Sequence, residues 1–266
     1  MESEMLFVFD PIFILLNLNI TLFYFLIPIS VGIAFLILGL NSLKQKHIIE
    51  ALPTSNIRSI AMGLVEIYGE VIPGKNLLKS PFSGEDCVYY KYQIQELRHT
   101  KNHSYWATIK SGEERVNFYL KDDTGIVLVD PKGAKIEISK DYDFYSGWGV
   151  NPPQRVLDFL NSKNIRFENF FGINKQMRFV ESCIVPGDKL YILGTAGDNP
   201  YVDETMAKTN TEDIMIQKGR FDKIYYISDK PEKEILNMLR FRIIVGLVVG
   251  IMCIVFSLIF GSNLFI

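Results

Sequence analysis

Ile20–Leu40 reads ITLFYFLIPISVGIAFLILGL, and Ile243–Phe260 reads IIVGLVVGIMCIVFSLIF. No charged residue occurs between Asp10 and Lys44, and none follows Arg242. At 1.5 Å per residue, a helix of about 20 apolar residues crosses the hydrocarbon core of a bilayer. A core helix of a soluble protein would alternate with polar positions over such a length. The two stretches therefore predict one membrane anchor near each end. Between them lies a single folded domain.

The first anchor occupies residues 1–43, with its span near 20–40. Pro28 and Gly32 inside it are tolerable in a membrane helix. Asn17 and Asn19 interrupt the residues before it, so Leu6–Leu18 reads as interfacial; two short spans in a hairpin are the alternative. A cleaved signal peptide is disfavoured, because Glu2, Glu4 and Asp10 stand where such a peptide carries basic residues. The second anchor, residues 230–266, carries its span near 243–260. Gly246 and Gly250 there form a small-xxx-small pair. Six residues follow Phe260, so no further domain is expected beyond this anchor.

Lys44, Lys46 and Arg58 follow the first span, and Lys230, Lys233, Arg240 and Arg242 precede the second. The outer tails hold no Lys or Arg. The excess of positive charge on the inner flanks predicts a two-span protein with a cytoplasmic central domain and both termini outside. The formal net charge of −2 argues against a nucleic-acid partner. Three cysteines without CxxC or Cys/His clustering argue against a disulfide framework and against a zinc site.

Residues 44–229 change character to short alternating runs. Lys44–Ser55 continues the first helix as a stalk until Pro53. Strands are expected at Gly63–Val71, Cys87–Arg98, Tyr105–Lys110, Glu114–Lys121, Ile126–Asp130, Ala134–Ile138, Met177–Ile184 and Lys189–Thr195. Ile214–Gln217 and Lys223–Ser228 read as a last hairpin. Gly197–Thr211 reads as an exposed loop. One helix is expected after Asn151 as cap, with Pro152 and Pro153 in its first turn, an apolar face of Val156, Leu157, Phe159 and Leu160, and a stop at Asn164. Asp229 and Glu232 match a capping box at the start of a helix that runs into the second span. The fold class is α+β: a mostly antiparallel β domain, small barrel or sandwich, with one main helix and two terminal transmembrane helices.

Leu78–Tyr90, LKSPFSGEDCVYY, is the densest motif. Ser80 before Pro81 is biased to extended geometry. Ser83 and Gly84 suit a turn with positive φ at the glycine. Cys87 begins an apolar strand. Two readings of these residues stand side by side. In one, Lys79, Ser80, Pro81, Phe82, Ser83, Gly84, Cys87, Tyr89 and Tyr90 form a binding or structural element with no catalytic residue among them. In the other, Cys87 or Ser83 is a nucleophile. A reactive thiol needs a cationic neighbour or a helix N-terminus, and the sequence shows a strand start. His99 and His103 fall in an expected hairpin loop, Thr100–Ser104, where i,i+4 spacing has no meaning for metal binding. Asp122-Asp123-Thr124-Gly125 reads as a solvated turn. Asn102-His103-Ser104 matches a glycosylation sequon, which a cytoplasmic domain would leave unmodified. No cofactor or metal is expected.

The motif LxSPFSGxxCVYYxYxxxE resembles the signature of the GIDE domain, also called the BAM or "beside a membrane" domain. The similarity extends to Gly63-Leu64-Val65-Glu66 with Gly69, to Val180-Glu181, to Pro186-Gly187-Asp188, to Tyr191-Ile192-Leu193-Gly194, and to Asp229-Lys230 and the last span. It covers most of residues 57–260. A mitochondrial outer-membrane member of this family carries two spans around the domain and adds a RING finger that acts as a ubiquitin or SUMO ligase. The resemblance therefore implies an E3 ubiquitin-ligase-like protein. This sequence lacks the Cys and His ligands of a RING. The expected function is a membrane-tethered binding or scaffold domain whose partners are the lipid bilayer and a protein or peptide near it. The alternative is a ligase component that works with a partner in trans.

Overall fold

The computed structural model describes residues 11–168, 172–201, 213–220 and 224–264. It divides into two units, Met1–Ala51 with Lys233–Ile266, and Leu52–Glu232.

The first unit contains α1 (Pro11–Ala51) and most of α3 (Glu232–Leu264). Both are long and apolar enough to cross a membrane. The 41 residues of α1 span about 60 Å. The helix runs without a break through Pro28, so it forms no hairpin of two short spans. Leu6–Asp10 lies outside the described residues. The two helices meet through glycine. A Cβ placed on Gly246 would stand 2.7 Å from Gly39 Cα and 2.9 Å from the Phe35 carbonyl oxygen. One placed on Gly250 would stand 3.0 Å from the carbonyl oxygen of Gly32. The small-xxx-small pair thus serves close approach within the chain, where van der Waals contact replaces the missing hydrophobic drive. Ser257 Oγ donates to the Phe25 carbonyl at 2.7 Å and adds a polar tie.

The second unit begins with a 3-10 turn (Ile57–Ser59) and contains β1 (Gly63–Ile72), β2 (Leu78–Lys79), β3 (Asp86–Cys87), β4 (Tyr89–His99), β5 (Ser104–Arg115), β6 (Phe118–Lys121), β7 (Ile126–Val129), β8 (Lys135–Glu137), β9 (Tyr142–Ser146), α2 (Gln154–Ser162), β10 (Met177–Ile184), β11 (Lys189–Asp198), β12 (Ile214–Gln217) and β13 (Tyr226–Ser228). Five of these strands close a ring: β1 pairs with β6, β6 with β7, β7 with β12, β12 with β11, and β11 with β1. All of these pairs are antiparallel except β7–β12. Counted along the chain, the ring order is first, second, third, fifth, fourth, first. This is the Greek-key connectivity of an OB-type barrel, and closure protects the edges that an open sheet would expose. Ile67, Phe118, Leu120, Val129, Leu190, Ile192 and Ile216 fill the interior.

Two insertions build a second layer. One, between β1 and β6, supplies β2 to β5. The other, between β7 and β11, supplies β8, β9, α2 and β10. Of their strands, β5, β4, β10 and β9 join in that order into one antiparallel sheet under α2, while β2 and β3 pair with each other and β8 pairs in parallel with β13. The ends of β4 and β10 belong to both layers. Tyr89 and Ile184 enter the barrel core, while Tyr90 and Cys183, one residue away, enter the core beneath α2. The adjacent tyrosines are therefore buried on opposite faces of one strand, as the period of two requires.

Several elements depart from the sequence expectation. The break expected at 111–113 is absent, and β5 runs on through Gly112, because the Tyr92 ring occupies the space a Cβ would need (2.7 Å from Cε1). The chain breaks at Val116–Asn117 instead, before β6. Ile214–Gln217 and Tyr226–Ser228 do not pair with each other; β12 and β13 both pair with β11, at Thr195–Asp198 and Tyr191–Leu193 respectively. β11 reaches Asp198 and so takes in the start of the expected loop Gly197–Thr211. Residues 202–212 and Lys223 lie outside the described residues. Asn151 does not cap α2. The helix starts at Gln154 after Pro153, without a side-chain cap, and Asn151 Oδ1 accepts from Asn174 Nδ2 at 2.6 Å. At the other end Asn164, with φ 55°, terminates the helix as expected, and Ile165 N–H reaches back to the Leu160 carbonyl at 2.9 Å. Asp229 forms no capping box; its Oδ2 accepts the Ser139 N–H at 2.7 Å.

Candidate functional site

The SPFSG segment connects β2 to β3 as a tight loop folded against β10. Leu78 pairs with Cys87 and Lys79 with Asp86, whose side chains also form an exposed ion pair at 3.0 Å. Within the loop, Ser80 Oγ accepts the N–H groups of Gly84 (2.9 Å) and Glu85 (3.1 Å), and Ser80 N–H donates to the Glu85 carbonyl. Gly84 has φ +78°, the positive value expected for the turn, and the Arg155 guanidinium of α2 lies directly over it.

The partner of this loop is Glu181, which β10 holds fully buried at the centre of the strand. Its Oε2 accepts the Phe82 N–H at 2.7 Å. Its Oε1 accepts the Ser83 N–H at 3.1 Å and the Ser83 hydroxyl at 2.7 Å. Ser80 Oγ stands 2.7 Å from Ser83 Oγ, and with Ser83 donating to Glu181, Ser80 donates to Ser83. The Cys183 thiol adds a weaker donor at 3.6 Å. A buried carboxylate needs such donors, because removal from water otherwise costs more than the fold can offset.

Phe82, the residue after the proline, fills the core below the loop. Its ring meets Tyr92, Phe159 and Phe179 edge-on at centroid distances of 5.7, 5.5 and 5.7 Å. Such contacts add about 0.5–1.5 kcal/mol each beyond the area buried. Pro81 delivers the chain into this turn, with Phe82 inward and Ser83 at the surface.

Cys87 is fully buried beneath the loop, beside Cys183. Contact with the Cys183 thiol lowers the Cys87 thiol below its ordinary range. The same contact, together with burial, raises Cys183. No cation is among the groups acting on either thiol; the other charges that act on Cys87 are Glu181, Asp86 and Glu85, all acidic. A thiolate nucleophile requires access and a positive neighbour. The arrangement provides neither for Cys87, and Ser83 donates its proton to a carboxylate already saturated with donors. As a chemical constellation the site is a clasp. It locks hairpin β2–β3 to β10 and presents no base to an open space.

Of the residues singled out in the sequence, Ser80, Phe82, Ser83, Gly84 and Cys87 converge on this clasp. Lys79 lies at its solvent edge. Tyr89 and Tyr90 continue the strand into the two cores, where Tyr89 OH donates to Glu113 at 3.0 Å. Glu181 and Arg155 complete the clasp and were not among the site residues expected from sequence. The readable signal was parity: Met177, Phe179, Glu181 and Cys183 share one face of β10, so Glu181 is a charge on an apolar face. His99 and Ser104 hydrogen-bond across the hairpin at 2.7 Å. Asp122 Oδ1 accepts the N–H groups of Thr124 and Gly125 as a turn does, but its Oδ2 also accepts the Ile57 N–H at 2.8 Å, so the turn docks on the 3-10 turn and is not simply solvated. Among the described residues no group of three or more His, Cys, Asp or Glu side chains is placed to hold a metal.

A second buried carboxylate, Glu66 of β1, accepts from Thr54 Oγ1 and Tyr191 OH, both at 2.8 Å. Burial raises its pKa and Glu232 raises it further, against the lowering effect of the two hydroxyls. A cleft of about 520 Å³ lies past the end of α2, lined by Asn161, Asn164, Ile165, Arg166, Phe167 and Glu168.

The outer face of the second sheet carries an aromatic pair with Tyr145 exposed. Trp106 and Tyr145 meet at 5.7 Å, and Arg178 stacks on Tyr145 at 5.1 Å while its Nε donates to Asp143 at 2.8 Å.

These features define a class: a barrel-and-sheet domain closed by an internal carboxylate clasp, in a chain with two membrane-length helices. The sequence model of the GIDE family, described as "E3 Ubiquitin ligase", matches residues 89–261, from β4 into the last helix. The chain belongs to the GIDE family. Its clasp loop lies just upstream of the matched residues. No curated protein and no solved structure matches the chain.

Proposed function

We propose that this GIDE domain is a membrane-tethered recognition and scaffold module that binds a protein or peptide partner through the outer face of its second sheet. The observation that carries this reading is the contrast between the two surfaces of that sheet. The inner one consumes the motif's polar groups in the clasp; the outer one leaves Tyr145 exposed between half-buried Trp106 and Arg178, and aromatic and Arg side chains are the common anchors of protein interfaces. In the orientation favoured by Lys44, Lys46, Arg58, Lys230, Lys233, Arg240 and Arg242, the module faces the cytoplasm.

The family description favours a second reading, a ligase component acting in trans. The sequence contains three Cys and three His, too few for the two zinc sites of a RING, so the transfer chemistry would reside in the partner. One experiment addresses both. A photo-crosslinking amino acid at Tyr145 or Thr108, in native membranes, should capture one specific protein, and Arg178→Glu should abolish the capture. If that protein is a RING or E2 component, the second reading holds. Capture that is identical in the Arg178→Glu chain would overturn the assignment of this face.

A further inference from the structure

β9 ends in a turn, Gly147-Trp148-Gly149-Val150, whose ring is closed by reciprocal backbone bonds: Gly147 N–H to the Val150 carbonyl at 3.1 Å and Val150 N–H to the Gly147 carbonyl at 3.0 Å. Gly149 takes φ +75°, which turns the chain sharply and leaves Trp148 at the apex with 85% of its surface exposed. Val150 is 47% exposed beside it, and Asn174 Nδ2 donates to the Val150 carbonyl, which places Ile173, 42% exposed, in the adjoining turn. From Tyr145 to Gln154 the sequence carries no charge. A solvated turn has no physical reason to hold a tryptophan outward between two glycines.

We propose that this tip is a lipid-surface contact, a shallow bilayer anchor additional to the two apolar helices. Three properties favour a bilayer over a protein groove. Trp is the side chain most at home at the membrane–water boundary, where its ring is buried and its N–H stays wet. The turn satisfies two N–H groups and two carbonyls internally, as backbone entering an apolar medium must. The charge at this end of the sheet also complements an anionic surface. The strand ends and turns around the tip carry Arg98, Lys101, Arg166 and Lys175 against Glu96 and Glu168, in a chain whose net charge is −2. Glu96 is itself held by Lys175 at 3.2 Å and by Arg98 at 3.8 Å. The site is independent of the partner face proposed above and of any ligase role.

Trp106 and Trp148 are the chain's two tryptophans, so each can report alone. The full-length Trp106→Phe chain is placed in nanodiscs containing anionic lipid, with acyl chains either plain or brominated at a shallow position. Insertion of about 5–10 Å below the headgroups predicts roughly twofold loss of Trp148 emission in the brominated discs and protection from iodide. The Trp148→Phe chain, reporting Trp106, should show neither effect. Ser replacement of Val150 and Ile173 should reduce the quenching without altering the melting temperature. Equal Trp148 emission in both discs, with full access to iodide, would overturn the proposal. So would equal quenching of both tryptophans. Shielding of Trp148 in native membranes but not in lipid discs would also overturn it, and would assign the tip to a protein.

Discussion

Replacing Glu181 by Gln tests the clasp at its centre. The substitution conserves shape but turns one acceptor oxygen into a donor that faces N–H groups. With the amide nitrogen at the Oε2 position the buried Phe82 N–H meets a donor; with it at the Oε1 position the Phe82 N–H keeps only an uncharged acceptor and the NH2 faces the Ser83 N–H. An orphaned buried donor costs about 1–3 kcal/mol, and a bond to a charged acceptor is worth about 1.5–3 kcal/mol. Ser83 lies at the surface, so its N–H and hydroxyl recover water and contribute little. The expected loss is therefore about 3 kcal/mol. For a unit the size of Leu52–Glu232, each kcal/mol shifts the melting temperature by about 2–4 °C, giving a drop of about 6–12 °C. Ser83→Ala, which leaves both backbone donors paired, should cost about 1 kcal/mol. In the double variant the two losses should fall short of additive, because the serine hydroxyl has no charged acceptor left to lose. A thiol-reactive dye provides the assay for the full chain in detergent, since Cys87 and Cys183 are buried until the clasp opens. A Glu181→Gln chain that melts within about 0.5 kcal/mol of the parent would refute the reasoning, because that is the range of an ordinary surface change.

Gly84→Ala should cost about 1 kcal/mol, because φ +78° resists a side chain; the Arg155 tip above it can move aside, so Arg155→Ala should not rescue the melt. Cys87→Ser should destabilise more than Cys87→Ala, since it buries a hydroxyl at a site with no solvent access, and the reverse order in thermal melts would count against a structural cysteine. Gly246→Leu should separate the two apolar helices and suppress cysteine crosslinking between positions 39 and 246 engineered one turn away; unchanged crosslinking would mean that the glycines are filler. Glu66 is raised by burial, so the native state holds its proton to higher pH than the unfolded chain does. Its contribution to stability is then fully present below the ordinary glutamate pKa and is lost as pH rises through the raised value. Glu66→Gln should flatten that slope in melts across this window, and an unchanged slope would place the titration elsewhere.

The sequence made most of the local chemistry readable and little of the long-range pairing. Charge-free runs announced the two long helices, and SPFSG announced a loop with positive φ at Gly84. In CVYYKYQIQELR, Tyr90, Tyr92 and Ile94 alternate with Lys91, and the structure buries the first three and exposes Lys91. β9 was missed because YDFYS is five residues long and mixes Asp143 with aromatics. The expected break inside β5 failed because Ser111-Gly112 looks like a turn when read locally. Only the facing Tyr92, far back in the sequence, shows why a glycine belongs in that strand. Barrel closure by β1 and β11 depends on pairs such as Ile67 with Ile192, which no local pattern specifies. The choice between barrel and sandwich therefore had to come from the structure.

Parity also explains what the motif is for. A strand buried on both sides cannot advertise its faces by alternation, and β4 and β10 are such strands where the barrel meets the second sheet. Tyr89-Tyr90 and Cys183-Ile184 each send one residue to either core. At that junction a slip of one residue would exchange the two cores, because side chains alternate with a period of two. Glu181 prevents the slip. It is the one charge on the inner face of β10, and the Phe82–Ser83 turn supplies its donors. A shifted register would carry the carboxylate to the opposite face and leave those N–H groups unpaired. The clasp thus acts as a register pin for the domain, and that role accounts for a polar motif at this junction.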